Sequence, residues 1–331
     1  MFIRNSRPVT RTRTHIYALI AAVIAFATIR ARAQDIFYQP ATGYSNVHNV
    51  NSTPGMAFFN GVLYVAYQDS ATGDLSITTS SNEGSSFSNP VVYSSVAMGS
   101  APALAVFDGV LYVAYKAAGS ADLMMTYTSN GSTFATPFVL EGLGNPYMSG
   151  VAPALAAFDG QLWIAWVDYY TSTIDYAYTY YPSIPADWPG NGVGGPGPGT
   201  GISLPPAMAV WNNTLFLSYQ DTTSHKLVVQ QWIGNQWSDW YSYPGILMGS
   251  GPAMATAFNG LVVGFKSNDK YNWLFNTVGE STSSFSSPAY GYSEILMKAG
   301  PGMTADASNI VYVAFQSNDS YHWLFMTKGS Y

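Results

Sequence analysis

The sequence predicts an all-β fold, a six-bladed β-propeller of four-stranded blades, on three observations. One phrase recurs six times, its copies are nearly evenly spaced, and the strand missing from the end of the chain is found near its beginning. The phrase is a proline, a run of small apolar residues, an aromatic, a tight turn and an alternating aromatic strand. It opens at Pro54, Pro102, Pro153, Pro206, Pro252 and Pro301, at intervals of 46 to 53 residues.

Each copy reads as four short strands. The small-residue segment, such as Ala103-Leu104-Ala105 or Ala154-Leu155-Ala156, is the first, and small side chains suit the crowded strand nearest a propeller axis. Asn60-Gly61, Asp108-Gly109, Asp159-Gly160 and Asn259-Gly260 then make hairpin turns, because both central residues must accept positive φ. Leu63 to Tyr67, Leu111 to Tyr115 and Leu162 to Trp166 form the second strand, with aromatic and β-branched residues dominating. The third is clearest from Trp273 to Thr277 and from Trp323 to Thr327. A fourth follows a Phe-x-x-Pro phrase at Phe87 to Pro90, Phe134 to Pro137 and Phe285 to Pro288.

The sixth copy stops at the turn before its fourth strand, and the missing phrase stands near the start of the chain as Phe37-Tyr38-Gln39-Pro40. An N-terminal strand therefore closes the last blade and removes an open edge. An open solenoid of β-units is the alternative, and it leaves the split phrase unexplained. Residues 182–206 depart from the pattern: seven prolines and seven glycines lie between Pro182 and Pro206. Such a segment cannot be a strand interior and reads as an elaborated loop of the third blade.

Residues 1–33 stand apart from the repeat. Arg4, Arg7, Arg11 and Arg13 precede the apolar run Tyr17 to Ala27, and Ala31-Arg32-Ala33 has the small-x-small form of a cleavage site. This is the pattern of a signal peptide cut before Gln34, leaving 34–331 as one domain in a secreted or periplasmic protein. An uncleaved anchor is the alternative. No other stretch is apolar enough to span a membrane.

All six arginines lie in that leader, so residues 34–331 carry six lysines against 18 carboxylates, a formal charge of −12. A surface of that sign repels phosphate backbones and anionic membranes, which excludes nucleic acid as a partner. With no cysteine, zinc-thiolate sites and thiol nucleophiles are excluded, and the core must hold the fold without disulfides. His48, His225 and His322 are too scattered to suggest a metal cluster. The Ser-Asn-Asp loops at 267–269 and 317–319 lack a full set of calcium ligands by spacing, and no cofactor or metal is predicted.

The segment Ser80-Ser81-Asn82-Glu83-Gly84-Ser85-Ser86-Phe87 is similar to the Asp-box turn, Ser-x-Asp-x-Gly-x-Thr followed by Trp or Phe, with Asn82 in the aspartate place. Gly131 to Phe134 and Gly234 to Trp237 keep its second half. On this motif and six blades the chain resembles the sialidase superfamily of propellers. That resemblance implies the fold and not the activity, since family sialidases hold the substrate carboxylate with three arginines and residues 34–331 contain none. Lysine cannot reproduce the planar bidentate grip. The chain also resembles, more distantly, six-bladed fucose-lectin propellers, whose sites lie between blades and also use arginine.

Strands in a blade alternate direction, so the loops after the second and fourth strands share a face. After the second strands come Gln68 and Asp69, Lys116, Asp168 and Tyr169, Gln220 and Asp221, Lys266, Asn268 and Asp269, and Gln316, Asn318 and Asp319. After the fourth come Met98-Gly99-Ser100, Met148-Ser149-Gly150, Met248-Gly249-Ser250 and Met297-Lys298. Planar amides and carboxylates beside Trp273 and Trp323 suit sugar hydroxyls, and glycines admit a ligand to the backbone. The expected function is a non-catalytic, lectin-like recognition propeller for a glycan or small polar ligand. The alternatives are a glycoside hydrolase using a carboxylate pair on this rim and an extracellular protein-binding scaffold. The competing reading of each polar position is plain turn chemistry, and of the methionines, packing between blades.

Overall fold

The computed structural model describes residues 36–143, 147–188, 201–318, 320 and 322–330. The predicted leader, the middle of the Pro/Gly-rich segment and Asp319 lie outside the described residues. Six antiparallel sheets are present, one per copy of the phrase. Blade 1 runs Gly55–Phe59, Val62–Gln68, Asp74–Ser80 and Val91–Ala97. Blade 2 runs Ala103–Phe107, Val110–Lys116, Leu123–Thr128 and the short Phe138–Val139. Blade 3 has Ala154–Phe158, Gln161–Val167 and Ile174–Thr179. Blade 4 has Ala207–Trp211, Thr214–Gln220, Lys226–Ile233 and Tyr241–Leu247, and blade 5 has Ala253–Ala257, Gly260–Lys266, Trp273–Gly279 and Tyr290–Leu296.

Blade 6 is built from both ends of the chain. Gly302–Ala305, Val311–Gln316 and Leu324–Ser330 are completed by Phe37–Tyr38 and Thr42–Tyr44. Thr42, Gly43 and Tyr44 pair with Met326, Phe325 and Leu324, and Phe37 and Tyr38 pair with Ser330 and Gly329. The N-terminal strand closes the ring, as the split phrase requires.

The burial pattern explains the composition of each strand. Second strands lie between two neighbouring blades and are buried on both faces, so Gln161–Val167 has no exposed residue. Fourth strands face outward, and five of the seven residues of Val91–Ala97 are exposed. First strands meet around the axis. There Gly302 packs so closely on Pro54 that a Cβ would fall 2.0 Å from its carbonyl oxygen, which accounts for Pro-Gly in place of Pro-Ala. The inner hairpins turn at Asn60-Gly61, Asp108-Gly109 and Asp159-Gly160 with positive φ. In blade 5 the turn falls one residue earlier than predicted. Ala257 pairs with Gly260, leaving Phe258 and Asn259 at φ 54° and 57°.

Blade 3 departs from the four-strand pattern. Three strands are present among its described residues, and the chain after Thr179 runs to a short 3-10 turn, Pro185–Asp187. Trp188 is fully buried there, donates from Nε1 to the carbonyl of Pro182 at 3.2 Å, and joins the core between blades 2 and 3. Prolines cannot sustain a strand ladder, so one large side chain supplies the apolar contact.

A tyrosine of the fourth strand clasps the next blade at four interfaces. Tyr93 donates to Ser132 O at 3.3 Å and Tyr292 to Ile36 O at 2.8 Å. Tyr44 donates to Gly84 O, and Tyr243 donates to Thr282 O at 2.6 Å while accepting from Phe285 N at 3.0 Å. Each ring also meets an aromatic of the next turn edge-on: Phe134, Tyr38, Phe87 and Phe285, at 4.8 to 5.7 Å. Removing the Tyr243 hydroxyl strands a buried N–H, so Tyr243→Phe is expected to cost about 1–3 kcal/mol in urea unfolding. Tyr93→Phe, at an exposed contact, is expected to cost less than about 0.5 kcal/mol. Equal losses would show that the clasp hydroxyl does not carry the difference.

Candidate functional site

The predicted face exists, and its seams explain most of its polar sequence. The residue after each fourth-strand methionine donates its N–H to the last residue of the next blade's second strand. Gly99 bonds Lys116 O at 2.7 Å, Ser149 bonds Val167 O at 2.8 Å, Gly249 bonds Lys266 O at 2.7 Å and Lys298 bonds Gln316 O at 3.1 Å. A Cβ on Gly99 or Gly249 would fall 2.6 or 2.1 Å from a carbonyl oxygen of the adjoining loop. The glycines are therefore set by the seam between blades. Ser100 and Ser250 accept from the N–H groups of Lys116 and Lys266, each at 3.0 Å. Met98, Met148, Met248 and Met297 are buried, as packing residues.

The rim amides are likewise engaged. Gln68 and Gln220 donate from Nε2 to the carbonyls of Met98 and Met248, and Gln316 lies 2.8 Å from His322 Nδ1. Asp69 accepts from the backbone of Ala71 and Thr72, and Asp168 from that of Tyr170 and Thr171. The Ser224 N–H lowers the Asp221 carboxyl, and the Ser267 hydroxyl lowers that of Asp269. The four aspartates thus cap their own turns. Lys116 Nζ contacts Ala117 O at 3.4 Å, and Lys266 Nζ donates to Lys298 O at 3.0 Å, with burial lowering the pKa of Lys266. Asn268, Asn318 and Tyr169 are exposed. Trp273 and Trp323 are half-buried, Trp273 opening the third strand of blade 5 and Trp323 immediately preceding that of blade 6, and Trp273 stacks on Tyr271 with centroids 4.9 Å apart. Among the described residues, no group of three or more His, Asp or Glu side chains could hold a metal ion.

The Asp-box likeness is realised as a turn. Asn82 Oδ1 accepts from Ser86 N at 3.0 Å, and Gly84 N donates to Ser80 Oγ at 2.8 Å. Thr128 and Asn130 repeat this arrangement ahead of Gly131, so the second copy is fuller than its sequence suggests.

Two features were not legible in the repeat. The axis holds two wells of about 140 and 320 Å³, with the six phrase prolines around one and Met56, Met254 and Met303 in both. None of the residues lining either well is ionisable. At the outer wall a cleft of about 320 Å³ separates blades 5 and 6, with Phe37, Gln39, Tyr290, Ser293 and Glu294 in its lining. Phe37 is 71% exposed and Tyr290 46%. Tyr292 joins the walls through its bond to Ile36 O, and burial pushes its phenol pKa up, keeping it neutral. The closing phrase in the sequence places Phe37 to Pro40 in the last blade. Only the structure sets it beside Tyr290.

Asp175, also missed by the sequence reading, sits on the third strand of blade 3 opposite Trp166. Burial and the neighbouring Asp168 push its pKa up from 3.8 to about 6. Because the folded state binds this proton more tightly, stability falls as pH rises from about 4 to about 6 and remains lower above that window. Asp175→Asn is therefore expected to raise the urea midpoint at pH 7.5 and flatten the profile over that range. An unchanged profile would remove Asp175 as its cause.

No protein-family model and no curated protein matches the chain. Solved structures share its fold. AofleA from Arthrobotrys oligospora is 11% identical, with a TM-score of 0.61 over 89% of this chain and 87% of that one. A Hadza microbial sialidase is 14% identical, with a TM-score of 0.62 over 86% and 68%. SapL1 lectin, solved with alpha methyl fucoside, is 12% identical, with a TM-score of 0.55 over 86% and 94%.

Proposed function

We propose that this chain is a non-catalytic, lectin-like carbohydrate-binding propeller whose ligand lies between blades at the outer wall. The cleft between blades 5 and 6 carries the reading. Its aromatic faces suit the C–H surface of a sugar ring, and Gln39, Ser293 and Glu294 offer an amide, a hydroxyl and a carboxylate for sugar hydroxyls. The axial wells favour binding over hydrolysis, because glycoside cleavage ordinarily needs two carboxylates across one sugar and neither well has one. The missing arginines weigh against a sialidase. SapL1 shows that a propeller of this shape can serve as a lectin.

A glycoside hydrolase is the second reading, favoured by one observation: Asp175, with its raised pKa, stands beside a second carboxylate, Asp168. The two readings separate on a panel of aryl glycosides, which a lectin leaves intact. We place the protein outside the cytoplasm on the strength of its leader-like N-terminus. The exported form is expected to begin at Gln34 by N-terminal sequencing.

The test is a glycan array with the purified protein. We expect retention of a defined glycan, weakened at least tenfold by Tyr290→Ala or Glu294→Ala with the unfolding midpoint unchanged. An array without any retained glycan would overturn the carbohydrate reading. Binding unaffected by either substitution would move the site elsewhere.

A further inference from the structure

Where blades 2 and 3 meet on the predicted ligand face, three tyrosine rings form a corner beside two carboxylates. Tyr170 stands 5.4 Å from Tyr147 and 5.2 Å from Tyr169, centroid to centroid, with interplanar angles of 88° and 87°. Tyr170 is 72% exposed and Tyr169 is 58% exposed, so both rings are open to a ligand. The corner is held from both blades. Tyr169 N donates to Tyr147 O at 3.0 Å, and Tyr170 N to Asp168 Oδ1 at 2.8 Å. Tyr147 is itself bridged to Asp122 of blade 2.

We propose that Tyr147, Tyr169 and Tyr170, with Asp168 and Asp175, bind an ammonium group. Aromatic faces carry negative quadrupole potential, and perpendicular rings present it to a compact cation from more than one side. The Asp168 contacts to Tyr170 and Thr171 all use Oδ1, which leaves Oδ2 for a ligand. Asp175 shares a sheet face with Ile164, Trp166 and Ala177, side chains of the core between blades 2 and 3, and so lies on the side of the blade that carries Tyr147. A cation that draws Asp175 into its ionised form offsets the burial penalty that now raises its pKa. The strong negative charge of residues 34–331 steers cations to such a site. This inference is independent of the cleft between blades 5 and 6, and either can fail alone.

Calorimetry on the full-length protein tests it with tetramethylammonium, with 3,3-dimethylbutanol as a neutral ligand of similar shape, and with glucosamine and N-acetylglucosamine trimers. We expect tetramethylammonium, the glucosamine trimer or both to bind at least tenfold more tightly than the neutral counterpart. Binding of one and not the other tells a quaternary group from an amino sugar, and binding of both assigns the site to the ammonium charge they share. Tyr170→Phe should keep affinity within about twofold and Tyr170→Leu lose at least tenfold, since the ring and not its hydroxyl makes the contact. Equal binding of the neutral ligands, no binding of either cation, or affinity unmoved by Tyr170→Leu would overturn the proposal. Tyr170 is largely exposed, so both variants retain the fold, and their unfolding midpoints check this.

Discussion

Everything else in this molecule depends on the backbone pairing of Thr42–Tyr44 with Leu324–Met326. Without it, blade 6 ends on an open strand edge, and Tyr44, Val47 and Val50 leave the core they share with Met56, Leu63 and Tyr67 of blade 1. The pairing is non-local, joining residues near opposite ends of the chain, and it is followed at once by Tyr44 reaching into the turn at Gly84. With no cysteine to staple the ring, this contact and its clasps do the work that disulfides do in many exported domains. Four interfaces repeat the tyrosine device. The interfaces on either side of blade 3 use other solutions: Trp188 on one side, and on the other the packed rings of Trp163, Tyr176, Tyr178, Trp232 and Trp237.

A ring closed in this way fixes where chemistry can occur. The axis is crowded by first strands, and its wells are lined mainly by proline, alanine, methionine and leucine, with Phe58, Val106, two glycines and three threonines. No ionisable side chain lines either well. Free surface with mixed aromatic and polar character lies instead at the boundaries between blades. The outer cleft between blades 5 and 6 lies between the closing segment and the fourth strand of blade 5, and the tyrosine corner lies where loops of blades 2 and 3 meet. The two proposed sites differ in the chemistry they offer: one is walled by Phe37, Tyr290, an amide and a single carboxylate, and the other pairs its rings with two carboxylates.

The architecture was legible in the sequence because a repeat writes the same physical demand six times. Pro-small-aromatic marked the inner strands, Asn-Gly and Asp-Gly the left-handed turns, and Phe37-Tyr38-Gln39-Pro40 the closing segment. That blade 3 has three strands among its described residues was legible only as an anomaly of proline and glycine, since nothing local says that Trp188 packs into the core between blades 2 and 3. The rim was harder. Asp69, Asp168, Asp221 and Asp269 look alike whether they hold a sugar hydroxyl or cap their own turn, because both uses ask for a carboxylate beside free N–H groups. Met-Gly-Ser likewise reads as a loop open to ligand, while the seam hydrogen bonds and the close carbonyls require it. Tyr290 and Phe37 lie far apart in the chain, so their cleft has no sequence signature.

We propose that ligand binds between blades and not on the axis. Hydrogen–deuterium exchange of the protein with and without its retained glycan tests this most directly. Protection is expected only in peptides covering 36–44 and 290–296. Protection shared among the six inner strands that begin at Gly55, Ala103, Ala154, Ala207, Ala253 and Gly302, with no change at 290–296, would contradict it.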